Sequence, residues 1–202
     1  MSRVRELLSN VYLGYQRWRL RNESVSLISN NCNGGFVLHD LRLPFRTPTI
    51  NLYIPPRDFI RFVSNLDAYL AMDFVEKKTM SNYPVAMLGD IEIHFVHYLT
   101  LQEAINKWRE RAKRINKNNL FIIMAERDGC TYEDLLAFDA LPYPQKIVFT
   151  HQPYPAIKSA YWIKDCIDGN GVGYLYEYRH KWSPIRYMYD FDFVRWFNSL
   201  VR

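Results

Sequence analysis

The stretch VSLISNNCNGGFVLHD, residues 25–40, decides how the rest of the chain is read. Val25, Leu27 and Ile28 form a short apolar run suited to a buried strand. Asn30, Asn31, Asn33, Gly34 and Gly35 then supply turn chemistry and backbone that tolerates positive φ, so an active loop is expected from Ser29 to Asp40. A strand that delivers polar, glycine-bearing chain at its carboxyl end is the unit of an open α/β sheet, where ligands gather beyond the strand ends.

Two further strand ends have the same character. Leu120 to Ala125 is a continuous apolar run, the pattern of a central strand buried on both faces, and it ends at Glu126-Arg127-Asp128-Gly129-Cys130. Ile147 to Thr150 is a shorter run that ends at His151. Thr49 to Ile54 reads as another strand, stopped by Pro55, and Tyr83 to Tyr98 reads as a hairpin around Leu88-Gly89-Asp90. Helical patterns separate them. After Pro56 come Phe59, Phe62, Val63, Leu66, Tyr69 and Leu70 at intervals of three and four. Thr100 and Glu103 have capping-box spacing ahead of Leu101, Ala104, Ile105, Trp108, Ala112 and Ile115. Thr131 to Ala140 is a short helix, and Phe191, Val194, Trp196, Phe197 and Leu200 suggest a closing one. Strands alternating with helices predict an α/β fold: a three-layer domain over residues 23–202 with a mostly parallel mixed sheet and one antiparallel hairpin. Gly169, Gly171 and Gly173 follow no strong strand and read as a mobile turn.

Residues 1–22 are a separate basic amphipathic helix. Val4, Leu7, Leu8, Val11, Tyr15 and Trp18 recur at helical spacing among five arginines and one glutamate, a local net charge of +4. Such a stripe either docks on the domain or a partner protein, or lies in a membrane interface, here the inner membrane surface through residues 3–21. Glu103 to Lys117 carries a second local excess of +4, so the rest of this +5 chain is slightly acidic. No apolar run spans a bilayer and no leader pattern follows Met1, which predicts a cytosolic protein. Cys32, Cys130 and Cys166 lack paired spacing, so reduced thiols are expected, and no nucleic-acid motif is present.

The three strand ends carry the candidate chemistry. Glu126 and Asp128 could hold a divalent metal, magnesium or manganese, against a leaving diphosphate; alternatively Asp128 caps the following helix with Arg127 as its ion-pair partner. Cys32 and His39 could form a nucleophile and base, or the thiol is buried and inert. Asn30, Asn31, Gly34 and Gly35 could cradle a phosphate or oxyanion with backbone N–H groups. His94 and His97, three apart on a strand, point to opposite faces and share no ligand.

The segments ISNNCNGGFVLHDL (28–41), TPTINLYIPP (47–56), LGDIEIHFVHY (88–98), KWRERAKRIN (107–116), FIIMAERDGC (121–130) and KIVFT (146–150) resemble a bacterial family of uncharacterised proteins. It is a domain of unknown function often labelled as exopolysaccharide biosynthesis, and the resemblance spans residues 22–198 in the same segment order. It implies an α/β fold and a setting among enzymes that build capsule, lipopolysaccharide or exopolysaccharide, without a mechanism. Asn30, Asn31, Cys32, Gly34, Gly35, His39, Arg127, Asp128 and Gly129 match the family's motifs; at Asn33 the family has an aromatic residue, so no stacking role carries over there.

The expected function is that of a transferase of surface-polysaccharide assembly, moving a glycosyl or related group from a nucleotide-sugar donor to a lipid-linked or oligosaccharide acceptor. Asp128 and Glu126 would act as base or metal ligands, Arg127 would meet the donor phosphates, and residues 30–35 with His151 would bind substrate. The alternatives are a non-catalytic carbohydrate-binding or assembly protein, and a Cys32-dependent hydrolase or acyltransferase.

Overall fold

In the computed structural model, which describes residues 2–201, the chain runs through seven α-helices and nine short strands. Met1 and Arg202, the outer ends of the two segments expected above, lie outside the described residues. Helix α1 (Ser2–Arg19) leads into strand β1 (Ser26–Ser29), then α2 (Asn33–Asp40), α3 (Pro56–Ser64) and α4 (Leu66–Ala71). Strands β2 (Phe74–Glu76), β3 (Val85–Leu88) and β4 (Ile91–His94) precede α5 (Leu101–Ala112). The second half contains β5 (Leu120–Ala125), α6 (Tyr132–Asp139), β6 (Lys146–Thr150), β7 (Ala160–Trp162), the hairpin β8 (Ile167–Asp168) and β9 (Gly171–Val172), and α7 (Phe193–Asn198).

The four-stranded sheet has the order β1-β5-β6-β7 and every pairing in it is parallel. Its alternation makes the layers. Phe121, Ile123 and Ala125 of β5 join Leu27 and Phe149 in a core closed by Val37 and Leu38 of α2 and Phe193, Val194 and Phe197 of α7. Ile122 and Met124 point the other way, with Ile28 and Val148, into a core built by α3, α4, α5, α6 and the strands β3 and β4. A strand apolar at every position is therefore the one that faces helices on both sides. Three antiparallel strands form their own sheet, β2-β3-β4, of which β2 had no strong sequence signal, and the hairpin β8-β9 pairs separately.

Several local expectations are corrected by packing. The expected loop 29–40 is a turn of three residues, 30–32, followed by helix α2, so Asn33, Gly34, Gly35 and His39 are helical, and the two glycines do not use positive φ. Gly34 serves close approach instead: a Cβ there would lie 2.7 Å from the Cβ of Ser29. The expected strand 49–54 reduces to a single bridge, Tyr53 to His94, because prolines flank it and Asn51 takes a φ of 62°. The run 56–70 is divided at Asn65, whose backbone leaves the helical region. Thr131, rather than Asp128, caps α6 through a reciprocal capping box with Asp134. Residues 169–173 are mostly hairpin, with Gly171 seated on Glu126.

Helix α1 departs most from an ordinary amphipathic helix. All six residues of its apolar stripe are exposed, while Leu13 and Gln16, on the opposite side, are buried against the domain.

Candidate functional site at the carboxyl edge of the parallel sheet

Because β1, β5 and β6 run the same way, the chain segments that leave them emerge together. Asn30 ties the first two. It is fully buried, its Oδ1 accepts from Ala125 N–H at 3.1 Å, and its own carbonyl accepts from Ile54 N–H at 2.8 Å. Asn30 is thus a clamp beneath the site, while Asn31 sits in it. The Asn31 Oδ1 accepts from Asn33 N–H at 3.0 Å and so orders the entry to α2. Gly34 and Gly35 occupy the first turn, where N–H groups have no intrahelical acceptor.

A cavity of about 300 Å³ opens above these groups, lined by Asn31, Cys32 and Asn33 from the first strand end and Arg127 and Asp128 from the second. Tyr53, Tyr174 and Tyr176 form its aromatic walls. A second hollow of about 350 Å³ adjoins it at Cys32 and is lined by Gly35, Phe36, His39, Asn51, His97 and Arg111 among others. A third, of about 310 Å³, adjoins it at Arg127 and Asp128 and extends to Gly129 and Asn170. The three make one open groove. A larger hollow of about 390 Å³ lies at the amino edge of the sheet, where Lys117 and Asp67 pair with each other at 2.6 Å. It gathers none of the strand-end loops.

Arg127 is held in place from three directions. Its guanidinium lies 4.3 Å from the centroid of the Tyr174 ring, its Nε is 3.1 Å from Asp128 and its Nη2 is 3.7 Å from Asp168. Asp128 is exposed with φ of 56°, a left-handed conformation that aspartate tolerates better than most residues and that recurs at functional sites. The Tyr53 hydroxyl is pushed well above the usual tyrosine range by burial and, secondarily, by the Asp128 charge. It stays protonated and available as a donor.

Glu126, expected as base or metal ligand, and His151, expected to bind substrate, stand apart from this groove. Glu126 is 3% exposed. Its Oε2 accepts from His151 N–H at 2.9 Å and lies 2.7 Å from His151 Nδ1, and its Oε1 accepts from the Tyr154 hydroxyl. The carboxylate is used up inside the protein, so it does not pair with Asp128 around magnesium or manganese. Among the described residues, no group of three or more His, Cys, Asp or Glu side chains gathers as metal ligands. The expected site, Glu126 and Asp128 together around one divalent metal, does not fit this arrangement, because the Glu126 oxygens are engaged by His151 and Tyr154.

Cys32 and His39 line the same hollow but do not form a pair. Cys32 is the N-cap of α2 and His39 lies in its last turn, seven residues on and about 10 Å along the axis, and the thiol donates weakly to the Leu52 carbonyl at 3.8 Å. Burial raises the Cys32 pKa above that of an ordinary thiol, which lowers its thiolate fraction at neutral pH. Burial likewise pushes Cys130 up to about 12 and Cys166 up to about 11. Alkylation by iodoacetamide at about pH 7.5 is therefore expected to be slower for the native protein than for free cysteine, with a rate that climbs only above the free-thiol pKa of about 8.5. Rapid labelling of Cys32 near neutrality would restore the nucleophile reading.

The tyrosines were the residues that sequence reasoning missed. For two of them a signal was present: Tyr174 and Tyr176 flank the buried Leu175, and the turn they occupy brings their ring centroids to 5.4 Å. Tyr53 had none beyond its place before Pro55.

Comparison with known proteins adds kinship. Residues 4–198 match the family described as Domain of unknown function (DUF1919). An uncharacterized protein of Haemophilus influenzae is 47% identical over 180 residues, covering 89% of this chain and 87% of that one.

Proposed function

This chain belongs to the DUF1919 family, and we propose that its groove binds a nucleotide-activated sugar and transfers the glycosyl group in surface-polysaccharide assembly. The observation that carries the reading is the single cavity in which Asn31, Arg127, Asp128 and three tyrosines meet at the carboxyl edge of a parallel sheet. Aromatic faces stack on sugars and bases, amides hydrogen-bond hydroxyls, and a guanidinium answers a diphosphate. In this scheme Asp128 takes the proton of an acceptor hydroxyl as its oxygen bonds to the anomeric carbon. The bond from that carbon to the diphosphate breaks, and the departing oxygen carries away the electron pair beside Arg127 and the first turn of α2. No step passes through a metal.

The test is calorimetric titration with a panel of uridine, guanosine and cytidine nucleotide sugars, with manganese and with a chelator. Saturable binding that survives chelation is expected, and Arg127→Ala should weaken it by about tenfold to a hundredfold, the worth of a charge-assisted hydrogen bond. Silence across the panel would overturn the transferase reading. The three tyrosine walls of the cavity, which suit stacking on sugar faces, favour as second reading a non-catalytic carbohydrate-binding protein of the same pathway. That reading predicts oligosaccharide binding without donor binding.

A further inference from the structure

Helix α1 meets the rest of the protein through one side only. Leu13 and Gln16 are buried, Tyr12 packs edge-on against Tyr189 with ring centroids 5.7 Å apart, and Arg17 Nε donates to the Asp40 carbonyl at 2.7 Å. Arg19 pairs with Asp192 at 2.6 Å, and the Arg5 guanidinium lies 4.3 Å from the centroid of the Tyr178 ring. At about 3.6 residues per turn these contacts fall on one half of the helix. The other half presents Val4, Leu7, Leu8, Val11, Tyr15 and Trp18, whose exposures run from 48% to 80%. The six align within an arc of about 100° along a helix about 27 Å long. The helix is docked with its polar side inward, and a continuous row of large apolar side chains is left without a partner among the described residues. Soluble surfaces seldom carry such a row.

The charges bordering the row select its occupant. Helical spacing puts exposed Arg3 on one edge and Arg5 and Arg19 along the other, and Arg19 lies 5.7 Å from the centroid of the Tyr15 ring. Glu6, the acidic residue of this helix, falls on the far side of the helix from the row. Two copies meeting row to row would bring arginine edges together, and the Asp192 carboxylate at that edge is already paired with Arg19 of its own copy. An apolar layer under negative headgroups answers both the row and its edges, and Tyr15 and Trp18, stacked at 6.0 Å, are side chains that settle at headgroup depth.

We infer that α1 is a membrane-surface anchor, lying along an anionic lipid bilayer with its apolar row immersed and the α/β domain held behind it. The anchor is peripheral, since no helix among the described residues is long and apolar enough to cross a membrane. This inference rests on the helix and is independent of what the groove binds.

The test is flotation of the full-length protein with liposomes of phosphatidylcholine alone or mixed with phosphatidylglycerol, at low and high salt. Binding to the mixed liposomes, weakened by salt, is the expected result. The double variant Leu8→Gln, Val11→Gln keeps the charge and should bind about tenfold more weakly or less. Because both positions are exposed, its thermal midpoint should match the parent, which separates lost binding from lost folding. No binding to the mixed liposomes, equal binding to both kinds, or full binding by the double variant would overturn the inference. A protein that ignores liposomes but forms dimers that the double variant dissociates would assign the row to a second copy instead.

Discussion

Replacing Glu126 with alanine is expected to destabilise the protein by about 3–5 kcal/mol, the cost of leaving buried partners of a removed charge unsatisfied. The side chain is 3% exposed and accepts from the His151 backbone N–H, the His151 ring and the Tyr154 hydroxyl. Alanine would strand all three donors and open a polar void between the ends of β5 and β6. Urea denaturation of Glu126→Ala beside Asp128→Ala gives the contrast. Asp128 is exposed and, among the described residues, its side chain answers only Arg127, so its removal should shift stability by no more than about 0.5 kcal/mol while reducing the proposed transfer. If Glu126→Ala were as stable as the parent yet failed to bind donor, the carboxylate would belong to the reacting groups after all.

The second large effect is at Gly171. A Cβ on this residue would stand 2.4 Å from the Glu126 carbonyl oxygen and 3.1 Å from the Arg127 Cα. Both are backbone atoms, so no side-chain rotation relieves the overlap. The hairpin β8–β9 would have to lift from β5, breaking the bond from Val172 N–H to the Glu126 carbonyl at 2.7 Å. Gly171→Ala should therefore cost about 3 kcal/mol or more, at the upper end of overpacking penalties. It should also move Arg127 and Asp128, which follow Glu126 directly. The expected outcome is a lowered thermal midpoint together with weakened donor binding. A fully stable Gly171→Ala protein would mean that the hairpin sits farther from the strand end than described.

These two positions show how much of the site local sequence could reveal. The run from Leu120 to Ala125 announced a central strand, and the polar residues that follow announced a strand end with chemistry. Yet Glu126 and Asp128, two residues apart, have opposite fates. The turn takes the left-handed conformation at Asp128 and turns its carboxylate to solvent, while Glu126 remains in the last buried position of the strand end. A paired-carboxylate reading assumes that spacing sets direction, and here the turn sets it. The close packing of Gly171 on Glu126 joins residues 45 positions apart, and nothing near either one in the chain implies the other.

Helix α1 makes the same distinction at larger scale. Its period gave the helix and its stripe, since amphipathicity is a local property of side-chain spacing. Which side would meet the domain was decided by Tyr189, Asp192, Tyr178 and the Asp40 carbonyl, groups that reach α1 only after folding. By itself, the order of residues determined the α/β class, the parallel sheet and the edge at which the polar loops emerge, because hydrophobic periodicity is written within each element. Only the tertiary structure decided which of those polar groups face the groove and which serve the interior, because that choice depends on partners distant in sequence and on the backbone turn between them.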